Sequence, residues 1–266
     1  MKPLASAEVE AGRWVQSHWP WLLIAAAWAT ALVAQISGQD YVLNHHELIE
    51  GGRFPLLLAA LVFLLAWQLM TVAMMLPSSL PVLRFFRQAN AANRGGAAAT
   101  AAFLAGYAAV WTLFAAAAFA GDIQIHRLVA SWPWLAAHSW LIAGGTLLMG
   151  GAFQFTPLKE RCLAQCRSPL AFFVRHYRRG VEGAWMLGVQ HGKFCLGCCW
   201  ALMLVMFGLG VGNVIWMAGL AGVMLLEKTA LRGRQLVPVV GVVLMGWGAL
   251  VLVHPAWLPT VLNGAA

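Results

Sequence analysis

The chain has 266 residues, of which 61% are hydrophobic and only 10% charged, with a mean hydropathy of +0.75. An average soluble domain is about 45–50% apolar and about 25% charged, because polar side chains must cover its outside. A soluble enzyme and a disordered tail are both excluded, which leaves a polytopic membrane protein.

A helix that crosses about 30 Å of hydrocarbon needs about 20 mostly apolar residues. Seven segments meet or approach that length: 19–36, 54–76, 97–120, 132–155, 184–208, 211–226 and 236–253. The sixth is short. Barrel strands would be about ten residues of alternating polarity, and these runs do not alternate. The predicted fold is all-α, a polytopic transmembrane helix bundle of about seven spans. It forms a single integral membrane domain over 1–266, with no soluble stretch long enough to fold alone.

The net charge of +8 takes its meaning from position. Short loops rich in Lys and Arg face the cytoplasm. Lys2 and Arg13 precede the first span; Arg84, Arg87 and Arg94 follow the second. Lys159, Arg161, Arg167, Arg175, Arg178 and Arg179 follow the fourth, and Lys228, Arg232 and Arg234 the sixth. Fourteen of the 17 basic residues therefore share one side, Arg53 and Arg127 take the other, and Lys193 lies within the fifth span. This bias predicts a multi-pass protein of the bacterial inner membrane with a cytoplasmic amino terminus and an outer carboxyl terminus. The lipid bilayer and its anionic headgroups account for the basic character, so no nucleic-acid partner is needed. The first span reads as a retained anchor, since Glu8 and Glu10 offset its leading basic residues. Trp14, Trp19, Trp21, Trp132 and Trp134 stand where an aromatic belt would place them.

Outside, residues 38–53 contain Asp40, His45, His46, Glu47 and Glu50, a composition shared by metal clusters and by solvated polar loops. The longest stretch between spans, 156–183, is long enough for a helix lying along the cytoplasmic surface.

The chemistry concentrates in the fifth span, His191-Gly-Lys-Phe-Cys195-Leu-Gly-Cys198-Cys199-Trp200. With His191 at zero and about 100° per residue, Cys195 falls near about 40°, Cys198 near about −20°, Cys199 near about 80° and Met206 near about 60°. One imidazole, three thiols and a thioether therefore share one helix face. Cys162 and Cys166, four residues apart, add two thiols just after the fourth span. No cysteine falls in an outer loop, where a structural disulfide would be expected. Thiolates and thioethers select Cu(I), zinc or iron–sulfur clusters. Met70 and Met74 lie one turn apart in the second span, and Met203, Met206, Met217 and Met224 follow in the fifth and sixth. Methionine is also an ordinary gap-filler, but beside the cysteines the set favours copper over zinc.

Polar groups inside spans need partners. Gln68, Thr71, Gln154 and Asn213 are expected to hydrogen-bond between helices. Lys193, opposite the ligand face, is expected to snorkel to the interface. Glu227 can pair with a cytoplasmic arginine. Gly188 and Gly192 would let a neighbouring helix approach, the second span with its methionines being the expected partner.

Several blocks carry a resemblance: Ala-Met-Met-Leu-Pro at 73–77, Gln-Phe-Thr-Pro-Leu-Lys at 154–159, Cys-Leu-Ala-Gln-Cys-Arg-Ser-Pro at 162–169, and the His191–Trp200 block. Asn-Val-Ile-Trp-Met at 213–217 and Glu-Lys at 227–228 belong with them. Together they resemble a bacterial family of predicted metal-binding integral membrane proteins, some of whose members are described as copper chaperones for maturation of a polyphenol oxidase (tyrosinase). The resemblance spans about residues 55–230. It implies metal binding and supply of copper to a client copper enzyme. The sequence departs from the family at Gly212, which stands where a methionine would add one more soft donor.

Three functional classes follow: a copper-binding accessory protein, a metal transporter, and a membrane thiol oxidoreductase using the Cys195-x-x-Cys198 spacing. The chain has no nucleotide loop, catalytic triad or zinc-hydrolase motif, so the expectation is a protein that is not an enzyme. Zinc in place of copper, and assembly as a homo-oligomer, are left open by the residues.

Overall fold

The computed structural model describes residues 3–37, 55–90, 95–208 and 214–254. Among them all regular structure is helical, with no strand. In chain order the helices are α1 (Pro3–Ile36), α2 (Leu56–Asn90), α3 (Gly96–Ser131), the four-residue α4 (Pro133–Ala136) and α5 (Trp140–Phe153). Then come α6 (Pro157–Cys166), α7 (Pro169–His176), α8 (Gly180–Gly208), α9 (Val214–Thr229) and α10 (Gly233–Val253). The expected all-α bundle is present. The outer loop with His45, His46 and Glu47, and also Gly212 and Asn213, lie outside the described residues.

Every apolar segment contains helix where described, though the fourth is broken, and among the described residues fewer than seven helices could cross a bilayer alone. Five are long and apolar enough: His18–Ile36, Leu56–Asn90, Gly96–Ser131, Gly180–Met206 and Gly233–Val253. A sixth candidate is the bent pair Trp140–Phe153 and Pro157–Cys166, which turns by 66°. The expected count of about seven is corrected at two places. Helix α9 has 16 residues, which at 1.5 Å rise makes about 24 Å, less than the hydrocarbon core. The fourth segment is interrupted at 137–139, between α4 and α5, and α5 stops at Phe153, just before Thr156–Pro157. There Thr156 Oγ1 accepts from the Lys159 amide at 3.3 Å and Pro157 occupies the first helical position, so a new helix starts in a new direction.

The stretch after α5 is also corrected. Instead of one helix on the surface it forms α6 and α7, and α6 turns Lys159, Cys162, Leu163 and Cys166 into the interior. The second span does not stop at 76 either. Helix α2 continues through Pro77 and Pro81 to Asn90. Pro77 has no N–H for the carbonyl of Ala73; Trp28 of α1 supplies one instead, its Nε1 donating to Ala73 O at 3.1 Å.

Helix α3 packs along α8, α5 along α10, α6 against α8, and α9 against α2. The α3–α8 contact is a backbone approach. A Cβ at Gly188 would run into the carbonyl of Phe103, and one at Gly106 into the carbonyl of Trp185. The close neighbour of Gly188 and Gly192 is therefore α3, through Phe103, Tyr107 and Val110, and not the second span.

Gln68 bridges helices as expected, donating from Nε2 to Ala108 O and Thr112 Oγ1. Thr71 instead bonds Trp67 O in its own helix, and the buried Gln154 amide has no hydrogen-bond partner among the described residues. Outward faces are apolar, with Leu65 and Leu113 71% and 74% exposed.

Candidate metal centre

Helix α8 places His191, Cys195, Cys198 and Cys199 on the face turned inward, and all four side chains are buried. The helix orients two thiols through its own backbone. Cys198 and Cys199 both donate to the carbonyl of Cys195, at 3.1 and 2.7 Å. All five cysteines are free and buried.

Helix α6 brings the second pair. Cys166 Sγ lies 3.8 Å from Cys198 Sγ. Cys162 lies over Gly197, where a Cβ would come within 2.5 Å of its Sγ. The glycine inside the cysteine block is thus what admits α6 to the face of α8. The sequence signal for Gly197 is its place between Cys195 and Cys198.

Helix α2 contributes sulfur at Met75, whose Sδ lies 3.6 Å from Cys199 Sγ. Met70, Met74 and Met206 are buried in the same apolar cluster as the cysteines, but the methionine bonded to a cysteine is Met75. Its backbone is held by Ser78 and Ser79, whose hydroxyls donate to Met75 O at 2.9 and 3.1 Å.

His191 reaches the sulfurs through intermediaries. Its Nε2 lies 3.0 Å from Ser79 Oγ, Ser79 Oγ lies 3.5 Å from Tyr107 Oη, and Tyr107 Oη lies 3.2 Å from Cys195 Sγ. The imidazole stacks on Tyr107 and Phe103, at ring centroid distances of 5.5 and 6.2 Å, and meets Phe172 at 5.4 Å. Among the described residues no three His, Cys, Asp or Glu side chains form a group that could hold a metal ion. The sulfurs stand in pairs.

Two lysines complete the interior. Lys159 of α6 pairs with Glu227 of α9 at 2.5 Å, with both side chains almost fully buried. The carboxylate partner of Glu227 is therefore a lysine. The expectation is a cytoplasmic arginine; the arginine that reaches this end of α9, Arg167, binds main chain, donating to the carbonyls of Glu227, Ala230 and Leu231, where helix carbonyls lack partners. Lys228, expected only as a helix-end residue, inserts Nζ among Cys195 Sγ at 3.3 Å, Cys199 Sγ at 3.9 Å, Met75 Sδ at 3.7 Å and Ser78 Oγ at 3.3 Å. Lys193 is exposed, on the far side of α8.

A family model described as copper chaperone (PpoB2) matches residues 64–251. The chain belongs to that family. The match runs from α2 into α10 and so takes in every residue of the sulfur cluster. No curated protein and no solved structure matches the chain. A copper chaperone requires a donor set that prefers copper to harder ions and can release it. Thiols and thioethers are donor types with that preference.

Proposed function

We propose that this copper chaperone is a bacterial inner-membrane protein that binds Cu(I) at its buried cysteines and passes it to a client copper enzyme. The observation that carries the reading is the packing of Cys166 on Cys198 and of Cys199 on Met75, beside a buried ammonium. Soft sulfur donors favour monovalent copper, and five reduced thiols suit a reducing compartment. The ligands are Cys195, Cys198, Cys199, Cys162 and Cys166, with Met75 as the thioether. His191 supports Cys195 through Ser79 and Tyr107. The helices form one membrane domain whose apolar outer faces meet lipid. The protein's part is delivery, not catalysis.

Metal analysis of the anaerobically purified full chain tests this. About one Cu(I) per chain, or a small cluster, is expected, held far more tightly than Mg²⁺ or Mn²⁺. Stoichiometric zinc without copper would replace the reading with a structural site. A disulfide between Cys166 and Cys198 in freshly isolated protein would favour a thiol oxidoreductase.

A further inference from the structure

A buried lysine ordinarily sits against a carboxylate, because an unpaired charge in a dry interior is expensive. Lys228 is 6% exposed and has a carboxylate one residue away, but that carboxylate, Glu227, is held by Lys159. The hydrogen-bond partners of the Lys228 ammonium are two cysteines, a methionine and a serine. Lys159 and Glu227 cancel each other and the remaining buried carboxylate, Asp122, pairs with His126 of its own helix, so among the described residues Lys228 has no carboxylate partner and stands between the sulfurs of Cys195, Cys199 and Met75.

We propose that Lys228 determines the charge of the ion this chaperone accepts: its ammonium is the fixed counter-charge that makes the Cys195–Cys199–Met75 group a site for a soft monovalent cation. The inference rests on the copper reading above. Two thiolates around one Cu(I) carry a single negative charge, which Lys228 neutralises. Two thiolates around a divalent ion are already neutral, so Lys228 gains no counter-charge from that ion and stays as it was before loading. Softness of the donors alone does not give this discrimination, since thiolates also bind zinc well. The thioether adds no charge, so Met75 extends the donor set without disturbing the balance. Before copper arrives, the ammonium occupies the space between the two thiols and Met75 and keeps the sulfurs spaced around a positive centre. Loading adds the Cu(I) charge and releases the two thiol protons to solvent, so that two thiolates then face two positive centres.

The test compares the purified full chain with Lys228→Met, Lys228→Gln and Lys228→Arg. Cu(I) affinity is measured by competition with a chromogenic Cu(I) chelator and Zn²⁺ affinity with a zinc-sensitive dye. In the two neutral variants the ratio of Cu(I) to Zn²⁺ affinity should fall on the order of a hundredfold, as a buried unpaired charge is worth several kcal/mol. Zn²⁺ binding, which leaves the net charge of the site unchanged, should stay near the wild-type value, whereas simple loss of packing would weaken both metals. Lys228→Arg keeps the charge and should restore most of the wild-type ratio. Equal loss of both metals in the neutral variants, or an unchanged ratio, overturns the proposal while leaving the copper reading intact. Wild-type protein that binds no Cu(I) overturns both.

Discussion

At the scale of single residues, the legible part of the site was the part that one helix determines. The three- and four-residue spacings of His191, Cys195, Cys198 and Cys199 fix a common face wherever the segment is helical, and all four side chains are buried on it. Which residues come from other helices depends on the packing, and there the sequence was ambiguous. Met70 and Met74 share a face of α2 by spacing, but the thioether beside Cys199 belongs to their neighbour Met75. Tyr107 and Ser79, which link His191 to Cys195, have no sequence signal beyond being polar in apolar runs. The distinction is measurable. Met75→Leu keeps volume and removes the sulfur, so Cu(I) affinity should weaken by roughly tenfold, equivalent to about 1.4 kcal/mol, whereas Met70→Leu should leave it unchanged. Competition against a Cu(I) chelator reads both. Equal effects of the two substitutions would show that Met75 is packing and not a donor.

At the scale of elements, the sequence overcounted spans because apolar length does not record where a helix must stop or turn. Helix α5 ends where Thr156 and Pro157 begin α6 at 66° to it. That turn is what carries Cys162 and Cys166 off the surface and onto α8. The helix is fastened by charge as well as by sulfur, through the buried pair Lys159–Glu227 and the clamp of Arg167 on the end of α9. The exposed pair Arg234–Glu160 adds little, since both partners remain solvated. Removing one partner of the buried pair leaves a charge with no compensation. Lys159→Met should therefore destabilise the protein by about 3–5 kcal/mol, seen as a lower midpoint of thermal unfolding in detergent. The double variant Lys159→Met with Glu227→Leu should recover most of that loss, because no charge is then stranded. A double variant no more stable than Lys159→Met would mean that the pair acts through its geometry and not through its charge balance.

At the scale of the whole molecule, contacts between basic residues and their partners gather several loops at one end of the bundle. Arg87 after the second apolar segment stacks over Trp19 of α1 with 5.6 Å to the ring centroid. Tyr177 after α7 donates to Asn90 at the end of α2, Arg167 grips the end of α9, and Arg234 of α10 meets Glu160 of α6. These are the arginine-rich connections that the positive-inside rule assigns to the cytoplasm, so orientation is testable with a single labelled position at each end. The native cysteines are unsuitable reporters, because all five are buried and would escape a reagent on either side. Leu231, between α9 and α10, is fully exposed, and Ser131 at the end of α3 is exposed as well. In intact cells a membrane-impermeant thiol reagent should modify Ser131→Cys and spare Leu231→Cys until the membrane is permeabilised. The native thiols should contribute little background to either signal. Labelling of Leu231→Cys from outside would invert the topology. It would also place the end of the bundle where α6 meets α9, beside the sulfur cluster, in an oxidising compartment where five free thiols could not serve a copper chaperone.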